Sequence, residues 1–206
     1  MRIRAMTEAD VDAVAAIRVT GWQTAYRGIV PQSFLDAMDA AEDAAQRRQF
    51  FARSAGRVHN FVAVDGAGAA GGAAADGGQV PAGSLADGSP ADGTLADGSP
   101  ADRGEVVGWV AFGPYRSADV PDGSAELYAL YVRPDRIGTG VGRALMSTAL
   151  TRTKSLGVRH LLLWVLAEND RARRFYARSG FAPDGAVTVD DCEGVPLKEM
   201  RYARDL

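Results

Sequence analysis

Cysteine is nearly absent from these 206 residues. Cys192 stands alone, which excludes an internal disulfide framework and a cysteine-based metal cluster. Histidine is almost as scarce, and His59 and His160 show no ligand spacing, so no metal is expected. Hydrophobic residues make up 47% of the chain. Yet no uninterrupted apolar run approaches the roughly 18 residues that a membrane-spanning helix needs. The opening MRIRAMTEAD lacks the charged, apolar and small-residue order of a secretion signal, so a cytoplasmic protein is the expectation.

Aromatic residues are missing altogether from 66–103, a stretch dominated by Ala, Gly and Asp. Within it LADGSPADG at Leu85 recurs as LADGSPADR at Leu95. That spacing matches neither an EF-hand loop nor the glycine-rich nonapeptide repeat, which argues against a calcium site. The reading that remains is a low-complexity, disordered insertion, because such a composition buries too little apolar surface to offset its ordering entropy. The stretch carries five Asp and one Arg out of a total net charge of −3, leaving the rest of the chain at +1. The acidic balance therefore belongs to the insertion and indicates no partner.

The remaining residues alternate between helical and extended patterns. RIRAM reads as a short strand, and Thr7 with Asp10 three positions on reads as a helix start. Val11, Val14 and Ile17 form the apolar face of that helix, which runs on toward Trp22. Pro31 suits the first turn of a second helix carrying Phe34, Leu35 and Met38, and AEDAAQRRQFFAR continues helically. NFVAV and GEVVGWVAF read as the two strands of a hairpin whose tip is the insertion, tolerated because loop-closure entropy grows slowly with length. In AELYALYV, strict alternation puts Glu126, Tyr128, Leu130 and Val132 on one face and Leu127, Ala129 and Tyr131 on the other. A helix with Val141, Leu145 and Ala149, a buried strand VRHLLLWVLA, a helix capped by Asn169 and ended by Gly180, and a last strand LKEMRYARDL complete the order. The sum is a mixed α/β sheet with helices on its faces.

Between AELYALYV and the helix after it lies RPDRIGTGVGRALM, with glycines at 138, 140 and 142. A dinucleotide fingerprint needs a third glycine where Arg143 stands, and a Walker loop needs Lys and Ser/Thr where Arg143 and Ala144 stand. What the spacing does support is a strand feeding a helix through a loop whose amides approach an anion closely, a pyrophosphate being the natural guest.

Three segments in order resemble the GNAT superfamily of N-acetyltransferases, over residues 1–65 and 104–206. ELYALYVRPDRIGTGVGRALM resembles the family's acetyl-CoA motif. LWVLAENDRARRFYARSGF resembles the strand-helix motif after it, with Asn169, Ala172, Tyr176, Gly180 and Phe181 at the family spacing. IRAMTEADVDAVAAIRVTGWQTAYRGIVP is similar to the first two helices of many bacterial members. The pattern departs from the family at Ile137, where Gln or Arg is usual. The resemblance implies a single α+β domain: a mixed, mostly antiparallel sheet of six to seven strands flanked by about four helices, interrupted by the insertion.

It further implies acetyl-CoA as donor, with no metal, and an amine acceptor from a small molecule, an aminoglycoside-like compound or a peptide or protein. No nucleic acid or membrane is implied, and a homodimer stays open beside a monomer. The coenzyme would contact Leu130, Tyr131 and Val132, the run Ile137, Gly138, Thr139, Gly140, Val141, Gly142 and Arg143, then Asn169 and Tyr176. Tyr176 matches the family's general acid, the alternative being a ring that packs with Phe175 against the sheet. Glu126 matches the general base of some members, the alternative being a solvated strand-end carboxylate or a base that is only water. Trp22, Tyr26 and Arg27 would line the acceptor site, although a Trp and Tyr four apart on a helix also suit a core. Glu168, Asp190, Asp191 and Glu193 are further carboxylates for a cationic amine, and Cys192 is not required for direct transfer. A competing reading is a non-catalytic acyl-CoA sensor of the same fold. If the insertion is dispensable, deleting residues 67–102 leaves the thermal unfolding midpoint and activity unchanged; a loss of either shows that it contributes to the fold.

Overall fold

The computed structural model describes residues 1–66, 104–116 and 120–206; the repeat-bearing stretch lies outside them. Strand β1 (Arg2–Ala5) leads through a 3-10 turn (Glu8–Asp10) into helix α1 (Val11–Ala25). The capping pair read from the sequence is formed: the Asp10 carboxylate accepts from the Thr7 amide (2.8 Å) and hydroxyl (2.9 Å). It also takes both arms of the Arg4 guanidinium at 2.6 and 2.7 Å, tying β1 to α1. Helices α2 (Gln32–Ala37) and α3 (Ala40–Arg53) follow, separated where Asp39 caps α3 by accepting from the Ala41 and Glu42 amides.

Strands β2 (His59–Asp65) and β3 (Glu105–Pro114) pair antiparallel from His59↔Phe112 to Asp65↔Glu105, the hairpin expected around the insertion. After β4 (Ser124–Val132) come α4 (Val141–Ser155), β5 (His160–Leu166), α5 (Asp170–Arg178), β6 (Ala182–Cys192) and β7 (Val195–Asp205). The seven strands form one sheet in the order β1-β2-β3-β4-β5-β7-β6, antiparallel except where β4 meets β5. Strand β6 was not expected from the sequence. It is an edge strand with Val187 and Val189 exposed, and Pro183 and Gly185 near its start look like loop residues.

Two apolar layers sandwich the sheet. On one face Val107, Val110, Phe112, Leu127, Leu161 and Leu163 pack with Val141, Leu145 and Ala149 of α4 and with Phe175 and Tyr176 of α5. On the other, Val62, Val64, Trp109 and Ala111 pack with Val11, Val14 and Ile17 of α1 and Ala44 of α3. Gly108 on β3 lets α4 sit close, since a Cβ there would lie 2.9 Å from both Leu145 Cδ1 and Val141 Cγ1.

One structural detail overturns the expected faces of β4. The β3–β4 register steps from Ala111↔Ala129 to Phe112↔Leu127, so Tyr128 is an extra, bulged residue. Ala125 and Leu127 therefore share the α4 face with Leu130 and Val132, whereas Tyr128, Ala129 and Tyr131 lie on the α1 face. Glu126, between Ala125 and Leu127, points to the α1 face, opposite Leu130 and Val132 rather than beside them.

Asp10 is only 6% exposed; burial opposes its ionisation, but the bonds from Arg4 and Thr7 prevail and hold its carboxyl below the usual aspartate range. Asp10→Asn is expected to destabilise the protein by about 2–3 kcal/mol at pH 7. Because the folded-state value is lowered, the difference from wild type is complete above the ordinary aspartate pKa of about 3.9 and closes as pH falls below it. Urea unfolding of both proteins at pH 7 and pH 3 measures this.

Candidate active site

Strand β5 pairs with β7 along its whole length, from His160↔Asp205 to Leu166↔Glu199. Its parallel pairing with β4 covers only Ser124↔His160, Ala125↔Leu161 and Glu126↔Leu162. Beyond that point the two strands diverge, so the β5-facing edge of β4 from Leu127 to Val132 opens into a cleft running through the sheet.

The glycine loop lies at the far end of this open edge. Gly138 (φ +86°) and Gly140 (φ +94°) occupy the left-handed region, which glycine enters without a Cβ penalty. A Cβ at either position would meet nothing within 4 Å, so the demand for glycine is conformational and the space beside the loop is open. The first helical bond of α4 runs from the Ala144 amide to the Gly140 carbonyl at 3.0 Å. The amides of Val141, Gly142 and Arg143 therefore have no acceptor within the helix. Beside this helix start lies a pocket of about 550 Å³ lined by Gly138, Thr139, Gly140, Arg143, Ala144 and Ser147. Free amides at the positive end of a 15-residue helix, with an exposed arginine beside them, fit a di-anionic phosphate group.

The loop is braced from behind. The Arg136 carbonyl accepts from the Thr139 hydroxyl at 2.6 Å, while the Arg136 guanidinium pairs with Asp65 at the end of β2 and Arg133 pairs with Glu105 at the start of β3. These two arginines are thus committed to carboxylates, and Ile137 between Arg136 and Gly138 leaves Arg143 as the loop cation facing the pocket.

Helix α5 closes the cleft on the α4 face. The Asn169 side chain accepts from the Ala172 amide at 3.0 Å, the cap read from the sequence. Phe175 approaches Gly142 within 3.5 Å of where its Cβ would lie. Tyr176 packs edge-on to Phe175 and Phe181, with ring centroids 5.5 and 6.1 Å away. Burial, and secondarily the nearby Tyr131, raises the Tyr176 phenol above its ordinary value. The phenol is thus kept protonated while being weakened as an acid.

On the α1 face Trp22 donates its indole N–H to the Tyr131 hydroxyl at 2.7 Å, and the Tyr131 ring stacks on Trp109 at 5.9 Å. The Tyr131 side chain thus lies away from Leu130 and Val132. Trp22 and Tyr26 meet edge to face at 4.8 Å within a third apolar cluster that joins Val30, Leu35 and Leu166. Tyr26 is pushed up by burial, with Tyr131, Tyr176 and Glu199 all close enough to add to the effect. Arg27 is exposed on the turn after α1, joined to Val30 by a backbone bridge, and is not drawn into this group. At the other rim the Glu193 carboxylate accepts from the Ser33 hydroxyl at 2.5 Å, holding the β6–β7 turn against α2. Cys192 packs beside this third cluster.

Glu126 is buried and held by the guanidinium of Arg116, which bonds both its oxygens and lies over the Tyr128 ring at 5.0 Å. It is therefore not a solvated strand-end carboxylate. The same face carries groups that no sequence motif marked: Arg116, Glu199, and Arg201, which bonds Asp184 at 2.6 Å and the Tyr115 hydroxyl at 3.1 Å and lies over Trp164. Cross-strand register is the only signal that unites them. Among the described residues no three His, Cys, Asp or Glu side chains gather as a metal site requires, and no helix is long and apolar enough to cross a membrane.

The model of the acetyltransferase (GNAT) family matches residues 84–181. An uncharacterized N-acetyltransferase of Bacillus subtilis, YuaI, is 26% identical over 193 residues, 93% of this chain and 85% of that one. The mycothiol acetyltransferase of Beutenbergia cavernae is 44% identical over 78 residues, 37% of this chain, and the match spans only 25% of the length of that relative. Among solved structures, a ribosomal-protein-alanine N-acetyltransferase from Brucella melitensis superposes over all of both chains with a TM-score of 0.66 at 20% identity. An N-acetyltransferase from Thermoplasma acidophilum in complex with coenzyme A gives 0.61 at 16% identity, covering 100% of this chain and 98% of that one. At such identities the structures speak for the fold. The glycine loop and the α5 motif thus lie within a segment that matches the acetyltransferase (GNAT) family, and the fold of the whole chain agrees with that match.

Proposed function

We propose that the chain is an acetyl-CoA-dependent N-acetyltransferase whose acceptor is a primary amine of a small molecule, an aminoglycoside-like compound or a peptide or protein. The observation that carries this reading is the divergence of β4 from β5 after Glu126↔Leu162. It leaves a strand edge that leads from a phosphate-binding helix start on one side of the sheet to a carboxylate-bearing face on the other. The coenzyme A complex of the Thermoplasma relative supports the choice of donor.

When bound, acetyl-CoA supplies the acetyl thioester and a thiolate leaving group. The amides of Val141, Gly142 and Arg143, with Gly138 to Gly140, would hold its pyrophosphate by direct N–H donation. The open backbone of Leu130 to Val132 would hold the pantetheine arm and give an amide to the thioester oxygen, stabilising charge that develops there. Tyr176 holds the proton for the departing sulfur from the α4 face. Trp22 and Tyr26 border the entry of the acceptor on the other face.

Replacing Tyr176 with Phe is expected to lower kcat by about 100-fold with little change in coenzyme affinity, as followed by thiol release. An unchanged kcat removes Tyr176 from the chemistry. Gly140→Ala forces a side chain into a left-handed conformation at about 1 kcal/mol. Relief of that strain by the loop should weaken CoA binding in calorimetry by about five-fold. Tight CoA binding without thiol release on any of a panel of small amines, aminoglycosides and peptides would assign the chain to acyl-CoA sensing instead.

A further inference from the structure

Glu199 sits on β7 opposite Leu166, at the open end of β5, and across from Thr188 of β6. Register places it on the same face as Glu126, whose partner on β5 is Leu162, and as Trp164, opposite Arg201. It is half-buried, and among the described residues its carboxylate makes no hydrogen bond and no ion pair. A half-buried carboxylate ordinarily gains a partner when it loses water. Glu126, by contrast, has both oxygens bound by Arg116. Both oxygens that would have to take the proton are thus occupied by a guanidinium.

The geometry points to Glu199, not Glu126, as the proton acceptor for the incoming amine, an assignment that rests on the acetyltransferase reading. Tyr26 senses both ends of the reaction: the charges of Tyr176, on the side of the leaving sulfur, and of Glu199, on the side of the acceptor, both raise its phenol after burial has done so. In the transfer, the amine nitrogen bonds to the thioester carbon as the carbon–sulfur bond breaks. The proton lost by nitrogen goes to a Glu199 oxygen and the sulfur takes the Tyr176 proton. Glu199 then returns one proton to the Tyr176 oxygen through solvent, so amine and thioester become amide and thiol with no net gain or loss of protons.

The charged surroundings of Glu199 suit that task. Burial raises its carboxyl above the usual glutamate range, Asp190 on β6 and Glu126 on β4 push in the same direction, and Arg116 at the end of β3 partly opposes them. Tyr26, the residue just past α1, is the titratable group of the helix layer whose phenol responds to the Glu199 charge. A raised carboxyl is a stronger base toward the attacking amine.

Two measurements test the assignment. In the free protein labelled with ¹³C-carboxyl glutamate, one resonance, absent from Glu199→Gln, should titrate above the ordinary glutamate range and move to lower pH in Asp190→Asn, where a neighbouring negative charge is lost. A Glu199 resonance that titrates in the ordinary range, or that ignores Asp190→Asn, overturns the assignment. In turnover, Glu199→Gln should lower kcat/KM by about 100-fold and abolish its acidic limb while CoA affinity stays constant, with partial recovery in Glu199→Asp. An acidic limb retained in Glu199→Gln and lost in Glu126→Gln overturns the assignment and leaves the acetyltransferase reading standing. A wild-type protein that binds CoA but releases no thiol with any amine overturns both.

Discussion

Strand β5 has more hydrogen-bonding commitments than it can keep straight. It pairs with β7 over all seven of its residues and with β4 over three, while β4 is paired with β3 to its end. Two strands that each hold a full-length partner on the outer side must part once their twists carry them in different directions. The cost is a row of unpaired backbone groups on β4 in the middle of a sheet, where such groups are otherwise satisfied. A ligand with an extended, amide-bearing arm satisfies them in the way a further strand would.

The bulge at Tyr128 has a separate effect on the same strand. By inserting one residue it keeps Ala125 and Leu127 on the α4 face with Leu130 and Val132, and so gives Glu126 to the α1 face. The glycine loop, the Asn169 cap and Tyr176 thereby lie on one side of the opening, and the carboxylates with Trp22 and Tyr26 on the other. Arg116 divides the carboxylates again. It bonds both oxygens of the buried Glu126 and leaves Glu199 half-buried, with no hydrogen bond or ion pair among the described residues.

The parts of the fold legible from the residues are those decided within a few positions of chain. The Thr7–Asp10 capping pair, the Asn169 cap, the glycine loop that leads β4 into α4 and the hairpin around the insertion all depend on neighbours in sequence, and all are formed. Strand β6 escaped because an exposed edge strand has only one neighbour and carries no two-sided apolar pattern. Alternation misplaced Glu126 because a bulge adds a residue without any local mark, and period-two reasoning then reverses every face beyond it.

Residues 130–146 and 169–181 were thus enough to specify a glycine loop leading into a helix start, followed by a capped helix carrying Tyr176, since helix dipoles, caps and glycine conformations are local. Which carboxylates meet was decided only by tertiary structure. Glu126, Glu199 and Asp190 come from three strands, two of them joined by a tight turn and the third brought near only by the pairing of β5 with β7. The burial of Glu126 and the half-burial of Glu199, and the pull of Arg116 on Glu126 over Glu199, arise from contacts between segments far apart in the chain. Electrostatic work depends on distance and solvent access, and no spacing along a sequence contains either.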